Sequence, residues 1–219
     1  MKVVLIILLM SSTVPGQTFY PSISGKIMNS EKYLFYLHGG VVTELGDNAI
    51  NPSRPEWGPY EYHNILDSLR KRGFNVISEN RKKGIDDSVY ISKIVGQIDS
   101  LLQSGAKTEN IIVVGASAGW NIAIHASSKL KNKEMKYVIM GGCWPDAYKD
   151  YINMELYGNF LSIIEITDPR GTCNDIFQNR KHIATYKEVK LNTGLSHGFI
   201  YKGYKEWINP IVKWFENSN

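Results

Sequence analysis

Ile111-Ile112-Val113-Val114-Gly115-Ala116-Ser117-Ala118-Gly119-Trp120 is the stretch on which the fold turns. Its first four residues are a continuous apolar, mostly β-branched run, as expected of a strand covered on both faces. From Trp120 to Leu130 the composition favours helix. Between them lies Gly-x-Ser-x-Gly, so the segment reads as strand, sharp turn, helix. A serine on such a turn projects its hydroxyl out of the sheet, and the flanking glycines remove side chains that would clash where strand and helix converge. The five-residue pattern alone is common. Its placement between an apolar strand and a helix makes Ser117 a candidate nucleophile.

Working outward, strand and helix signals alternate from residue 33 onward, the pattern of a parallel sheet covered on both faces. Tyr33 to Leu37 is a predicted strand ending at His38-Gly39-Gly40, followed by a helix with Ile65, Leu66 and Leu69 on one face that runs up to Gly73. Phe74 to Ser78 is the next strand. Asp86 and Asp87 read as a helix N-cap region, because short carboxylates there satisfy free backbone amides. That helix carries Val89, Ile94, Val95, Ile98, Leu101 and Leu102 to a stop at Gly105. Further strands are predicted at Tyr137 to Met140, Leu161 to Ile166 and Glu188 to Leu191, with a final amphipathic helix near Tyr204 to Glu216.

A serine alcohol attacks only when a base takes its proton. His197, in the turn-rich Thr193-Gly194-Leu195-Ser196-His197-Gly198-Phe199 after the last predicted strand, is the candidate base. His63 and His125 fall inside predicted helices, and His182 precedes the last strand, which leaves it as the rival. The imidazole in turn needs an acid, which should end the strand before the histidine's own. Asp168 meets that requirement. It also has an ordinary reading as a turn aspartate before Pro169. Asp175 shares the same loop and stays open as the alternative acid, while Glu165 is held within its strand. The oxyanion of a tetrahedral intermediate needs preorganised donors. The backbone amides of Ala118, just after the serine, and of Gly40 are the candidates. His38 reads as structural, packing under the Gly39-Gly40 turn.

Leu37-His38-Gly39-Gly40, Gly115-Ala116-Ser117-Ala118-Gly119, Asp168 and His197, in that chain order, resemble the α/β-hydrolase fold family. The chain is similar in particular to a group of small, poorly characterised bacterial α/β hydrolases, through Gly58-Pro59-Tyr60-Glu61-Tyr62, Asn80-Arg81-Lys82-Lys83-Gly84, the serine turn and Thr193 to Phe199, across nearly all of residues 33–215. The resemblance implies a mostly parallel central sheet with helices on both faces, and a catalytic triad and oxyanion hole at the matching positions. It implies no substrate. Two departures from the family pattern stand out. The segment before Tyr33 is too short for all the leading strands, so a trimmed sheet is expected. No long insertion separates the Tyr137 strand from Asp168, so little or no cap domain is expected, leaving a site open to bulky or polymeric acyl substrates.

Composition and charge narrow the function. The 219 residues suffice for one domain with its own core, and a charge of +4 from 25 basic and 21 acidic residues is scattered rather than gathered into a nucleic-acid surface. The densest cationic cluster, Arg81, Lys82 and Lys83, reads as a solvated loop. At the N-terminus, Met1-Lys2 precedes the apolar run Val3 to Met10 and then Ser11, Ser12 and Thr13, the arrangement of a signal peptide. The run is too short for a membrane span, which needs about 20 apolar residues. A signal peptide over 1–16, cleaved after Gly16, would leave a single domain at 17–219, secreted or periplasmic and without a stable membrane anchor. Cys143 and Cys173 then remain, either as one disulfide or as two buried thiols. Neither has zinc-ligand spacing, and no metal or other cofactor is expected. Trp57, Tyr60, Trp120 and Trp144 read first as core, with an acyl or sugar pocket as the second reading. Trp120, directly after the serine turn, is the strongest pocket candidate. The function expected is hydrolysis of an ester or related acyl bond. A peptidase or acyltransferase with the same machinery, or a non-catalytic binding protein on this fold, is the alternative. The sequence leaves the oligomeric state open.

Overall fold

In the computed structural model, which describes residues 31–217, the apolar runs become strands β1 (Lys32–Leu37), β2 (Phe74–Ile77), β3 (Ile111–Ala116), β4 (Lys136–Met140), β5 (Gly158–Glu165) and β6 (Ile183–Leu191). The expected signal peptide lies outside the described residues. The strands form one sheet in the order β2-β1-β3-β4-β5-β6, and every pairing is parallel. β5 and β6 begin earlier than their apolar residues suggest. The first half of β6 is polar, with Ala184, Thr185 and Lys187 exposed, because an edge strand need not bury both faces and so carries a weaker apolar signal.

Side chains alternate across the sheet with the period of two that a strand imposes. Leu34, Tyr36, Ile112 and Val114 face one core layer, and Phe35, Leu37, Ile111 and Val113 face the other. The first layer is closed by α2 (Tyr62–Arg70) and α7 (Lys205–Glu216), and the second by α3 (Asp87–Gln103) and α4 (Gly119–Leu130). Asp86 caps α3 as the sequence suggests, its carboxylate accepting the Ser88 amide at 2.7 Å. Among the described residues no helix is long and apolar enough to cross a membrane.

The remaining helices are short: α1 (Gly40–Leu45), α5 (Tyr148–Tyr151) and α6 (Asn174–Phe177). α5 and α6 lie in the connections on either side of β5, and neither connection builds a cap domain. A disulfide between Cys143 and Cys173, with Cα atoms 5.2 Å apart, joins these two connections and decides between the two readings of the cysteines.

The sheet order also fixes where a site can form. The chain leaves β1 toward β2 on one side and returns to β3 on the other, so the crossovers diverge at the carboxyl ends of β1 and β3. Open α/β sheets leave a crevice at that switch point. The turn carrying Gly39 and Gly40 and the turn carrying Ser117 both open into it.

Candidate active site

Ser117 follows β3 directly, and its backbone has φ +47°, in the left-handed region that a non-glycine residue enters at a cost of order 1–3 kcal/mol. Surrounding bonds hold it there. The Ser117 amide donates to the Met140 carbonyl at 2.8 Å, and the Trp120 amide donates to the Ser117 carbonyl at 2.8 Å. The flanking glycines serve close approach: a Cβ on Gly115 would come within 2.6 Å of the Gly119 carbonyl oxygen, and one on Gly119 would sit on the carbonyl of Leu37.

His197 lies on a 3-10 helix, Ser196–Ile200, entered through Ser196 at φ +49°. Asp168 sits in the turn that ends β5, its amide donating to the Glu165 carbonyl at 2.9 Å. The Asp168 Oδ2 accepts from His197 Nδ1 at 2.6 Å, and in that tautomer His197 Nε2 accepts the Ser117 hydroxyl at 2.9 Å. His197 and Asp168 are 6% and 5% exposed, so the pair is shielded from competing water. The structure therefore brings Ser117, His197 and Asp168 into one hydrogen-bonded chain. Asp175 is exposed on α6 and takes no part in it. The rival His182 stacks on Tyr157 with ring centroids 4.5 Å apart, beside Glu155.

Glu165, set aside in the sequence as strand-bound, has a supporting role instead. It accepts from the Thr193 amide at 2.9 Å and from the Thr193 hydroxyl at 2.6 Å, tying the end of β5 to the loop that leads into His197. Burial pushes its carboxyl up, but hydrogen bonds from Thr193 and from the amides of Thr167 and Gly194 outweigh this and hold it below the usual carboxylate range. A signal for this role existed, since a glutamate near the end of a buried strand must find donors. The partner, 28 residues on, was not legible.

Gly40 is the first residue of α1, with Gly39 at its N-cap. A Cβ on Gly39 would lie 3.2 Å from that of Ser117, and one on Gly40 would lie 3.7 Å from that of Ala118, so the two turns are packed together. The Gly40 and Ala118 amides make no backbone bond to another described residue, leaving both available to a bound oxyanion.

His38 is structural, as read from the sequence. It is fully buried, its Nε2 accepts the Arg81 amide at 3.0 Å, and its Nδ1 donates to the Gly39 carbonyl at 2.9 Å. The reading of Arg81 as part of a solvated loop is corrected. Arg81 is only 6% exposed, and its guanidinium donates to the His38 carbonyl at 2.7 Å and lies over the Tyr90 ring. Lys83 is exposed as expected and pairs with Glu44. Burial, with the Arg81 cation second, pushes the His38 imidazole down to about 3. An unfolded histidine titrates near 6.5. Between these values the unfolded chain takes up a proton that the folded chain refuses, so stability is lost as pH falls from about 6.5 toward 3, by up to ~1.4 kcal/mol per unit. Urea unfolding between pH 7 and 4 is expected to show this slope, and His38→Asn to make it shallower by about 1 kcal/mol per unit while lowering stability at neutral pH.

The aromatic residues sort differently from the sequence reading. Trp120 is core, 1% exposed, whereas Trp57 and Trp144 border the site, as does the fully buried Tyr60. The Trp57 ring centroid is 5.6 Å from that of His197. Trp120 follows the serine turn, but the helical period turns it inward against Tyr151. The site itself is an open cleft of about 320 Å³ containing Ser117, Gly40 and Ala118, continued past His197 by a groove of about 920 Å³. Among the described residues no three His, Cys, Asp or Glu side chains converge as metal ligands.

No protein-family model and no curated protein matches the sequence. Solved structures do match in shape. SOBER1 from Arabidopsis thaliana aligns with a TM-score of 0.51 at 13% identity, over 86% of this chain and 99% of that one. A sugar hydrolase from Lactococcus lactis aligns with a TM-score of 0.52 at 10% identity, over 91% of this chain and 97% of that one. The Bacillus cereus carboxylesterase aligns with a TM-score of 0.50 at 13% identity, over 93% and 94% respectively. Identities this low bear on the fold alone. With the six-stranded parallel sheet, the two helical layers and the serine turn after β3, they make the chain one with the α/β-hydrolase fold.

Proposed function

We propose that this protein is an exported serine hydrolase that cleaves an ester or related acyl bond. The observation that carries the reading is the unbroken relay from Asp168 through His197 to Ser117, with steps of 2.6 and 2.9 Å. In it Ser117 attacks the acyl carbon while His197 takes the hydroxyl proton and returns it to the leaving alcohol. Asp168 holds the imidazole in the tautomer that leaves Nε2 free to accept, and stabilises the imidazolium. The amides of Gly40 and Ala118 receive the developing oxyanion. Water then repeats the sequence on the acyl-enzyme. This chemistry uses only groups of the chain itself.

Export, to the medium or the periplasm, is supported by the signal-like N-terminus and by the Cys143–Cys173 disulfide, since such bonds persist in oxidising compartments. The open cleft suits small or polymeric acyl substrates without a lid to displace. A fluorophosphonate probe tests the reading: covalent labelling is expected on the wild-type protein, mapped by mass spectrometry to Ser117, and abolished in His197→Ala. Folded wild-type protein that stays unlabelled would point to a binding role.

A further inference from the structure

The inner cleft and the outer groove share four lining residues: Arg54, Trp57, Arg170 and His197. Around Ser117 the inner cleft contains no carboxylate. Its charged lining residues, apart from His197, are the two arginines. Asp168 and Glu56 line the outer groove with Lys202, but Asp168 Oδ2 is already engaged by His197 and Glu56 is exposed beside Arg54. The cleft is thus a cationic space around the nucleophile.

Arg170 is distinct among the arginines described here. The guanidinium of Arg81 donates to a backbone carbonyl, and that of Arg180 donates to several. The half-buried Arg170 uses only its backbone amide, which donates to Asp168 Oδ1 at 3.1 Å. Its guanidinium lies over the Trp144 ring, 4.4 Å from the centroid, with no carboxylate or carbonyl acceptor among the described residues. Stacking on an indole fixes the plane of the fork and leaves its N–H edge outward. The disulfide reinforces this arrangement, because Trp144 follows Cys143 and Arg170 precedes Cys173 by three residues. Arg54, which lines the same cleft, lies over Trp57 at 5.8 Å, with the exposed Glu56 at 3.7 Å as its one ionic partner among the described residues.

We infer that the substrate is a carboxylate-bearing ester, whose free carboxylate is received by the Arg170 guanidinium, with Arg54 as a second cation lining the cleft. A single planar fork matches a carboxylate in a bidentate pair, in which charge-assisted bonds hold the substrate in register with Ser117. The apolar lining of the cleft, Val41 and Ile200 with the tryptophan edges, accommodates the short apolar part between the carboxylate and the scissile bond. This inference rests on the serine-hydrolase reading of the same site.

The test uses matched pairs that differ in charge, with the Arg170 variants correcting for the difference in size and leaving group. The full chain is given p-nitrophenyl hemiglutarate and its methyl ester, with the carboxylate on the acyl side, and 4-butyryloxybenzoate and its methyl ester, with the carboxylate on the alcohol side. In at least one pair, kcat/KM for the charged member is expected to exceed that of the neutral member by about 10- to 100-fold, the range of a hydrogen-bonded charge pair. That ratio is expected to collapse toward one in Arg170→Gln, to return in part in Arg170→Lys, and to shrink as salt is raised. Because the readout is a ratio within one preparation, and Ser117 labelling reports whether the variant is folded, partial misfolding does not imitate it. Hydrolysis with no charge preference in either pair, or a preference that survives Arg170→Gln, overturns the inference and leaves the hydrolase reading standing. Failure of Ser117 to label, with no ester cleaved, overturns the hydrolase reading itself.

Discussion

Ser117→Ala is expected to lower kcat for a short p-nitrophenyl ester by about 10⁴- to 10⁶-fold. The size of the effect follows from the division of labour. His197 can take a proton only from a nucleophile, and alanine offers none, so the covalent route is closed. What remains is whatever the Gly40 and Ala118 amides and the cleft do for direct attack by water, typically about 10³- to 10⁴-fold over the uncatalysed reaction. Ser117 makes few contacts of its own beyond His197, so the variant should retain the unfolding midpoint of the wild type. Alanine must adopt the same left-handed backbone at this position, so the local strain is unchanged. Stopped assays with purified protein, paired with urea unfolding, separate loss of the nucleophile from loss of the fold. Retained activity in Ser117→Ala would remove the triad assignment.

Asp168→Asn is expected to lower kcat by about 10⁴-fold while leaving the cleft intact. The carboxylate accepts from His197 Nδ1, which keeps the imidazole proton away from Ser117. An amide can instead present its NH₂ to Nδ1. The histidine then carries its proton on Nε2, facing a hydroxyl whose proton it can no longer accept. Asp175→Asn serves as the contrast, because that carboxylate is exposed on α6, and its removal is expected to change kcat by less than about threefold. A reversal of the two effects would return the acid's role to Asp175.

Much of this site was legible before any coordinates. Ile111 to Val114 could be recognised because a strand covered on both faces must be apolar throughout, and the small residues after it because strand and helix meet too closely for side chains. His197 and Gly40 followed from what a serine nucleophile requires. Asp168 and Asp175 could not be separated, because both lie on one loop and only the turn closed onto the Glu165 carbonyl aims the first inward. Arg81 was misread for a related reason. A run of three cations is usually solvated, and burial of one depends on acceptors at His38, 43 residues earlier. Trp120, the strongest pocket candidate, is core as first read, and Trp57 borders the cleft instead, because adjacency in sequence says nothing about which face of a helix or loop meets the cleft. β6 was foreshortened because edge strands tolerate polar residues.

The disulfide, finally, binds no strand to another. It joins the connection after β4 to the one after β5, and the second of these carries both the acid and the arginine. Both cysteines are also buried members of one core layer. Reduction is therefore expected to cost stability and to give the segment from Asp168 to Cys173 room to wander from His197. One covalent bond thus ties the tether of the acid to the connection that carries Trp144, so a change of redox state is expected to reach the alignment of Asp168 and His197 as well as the packing beneath them.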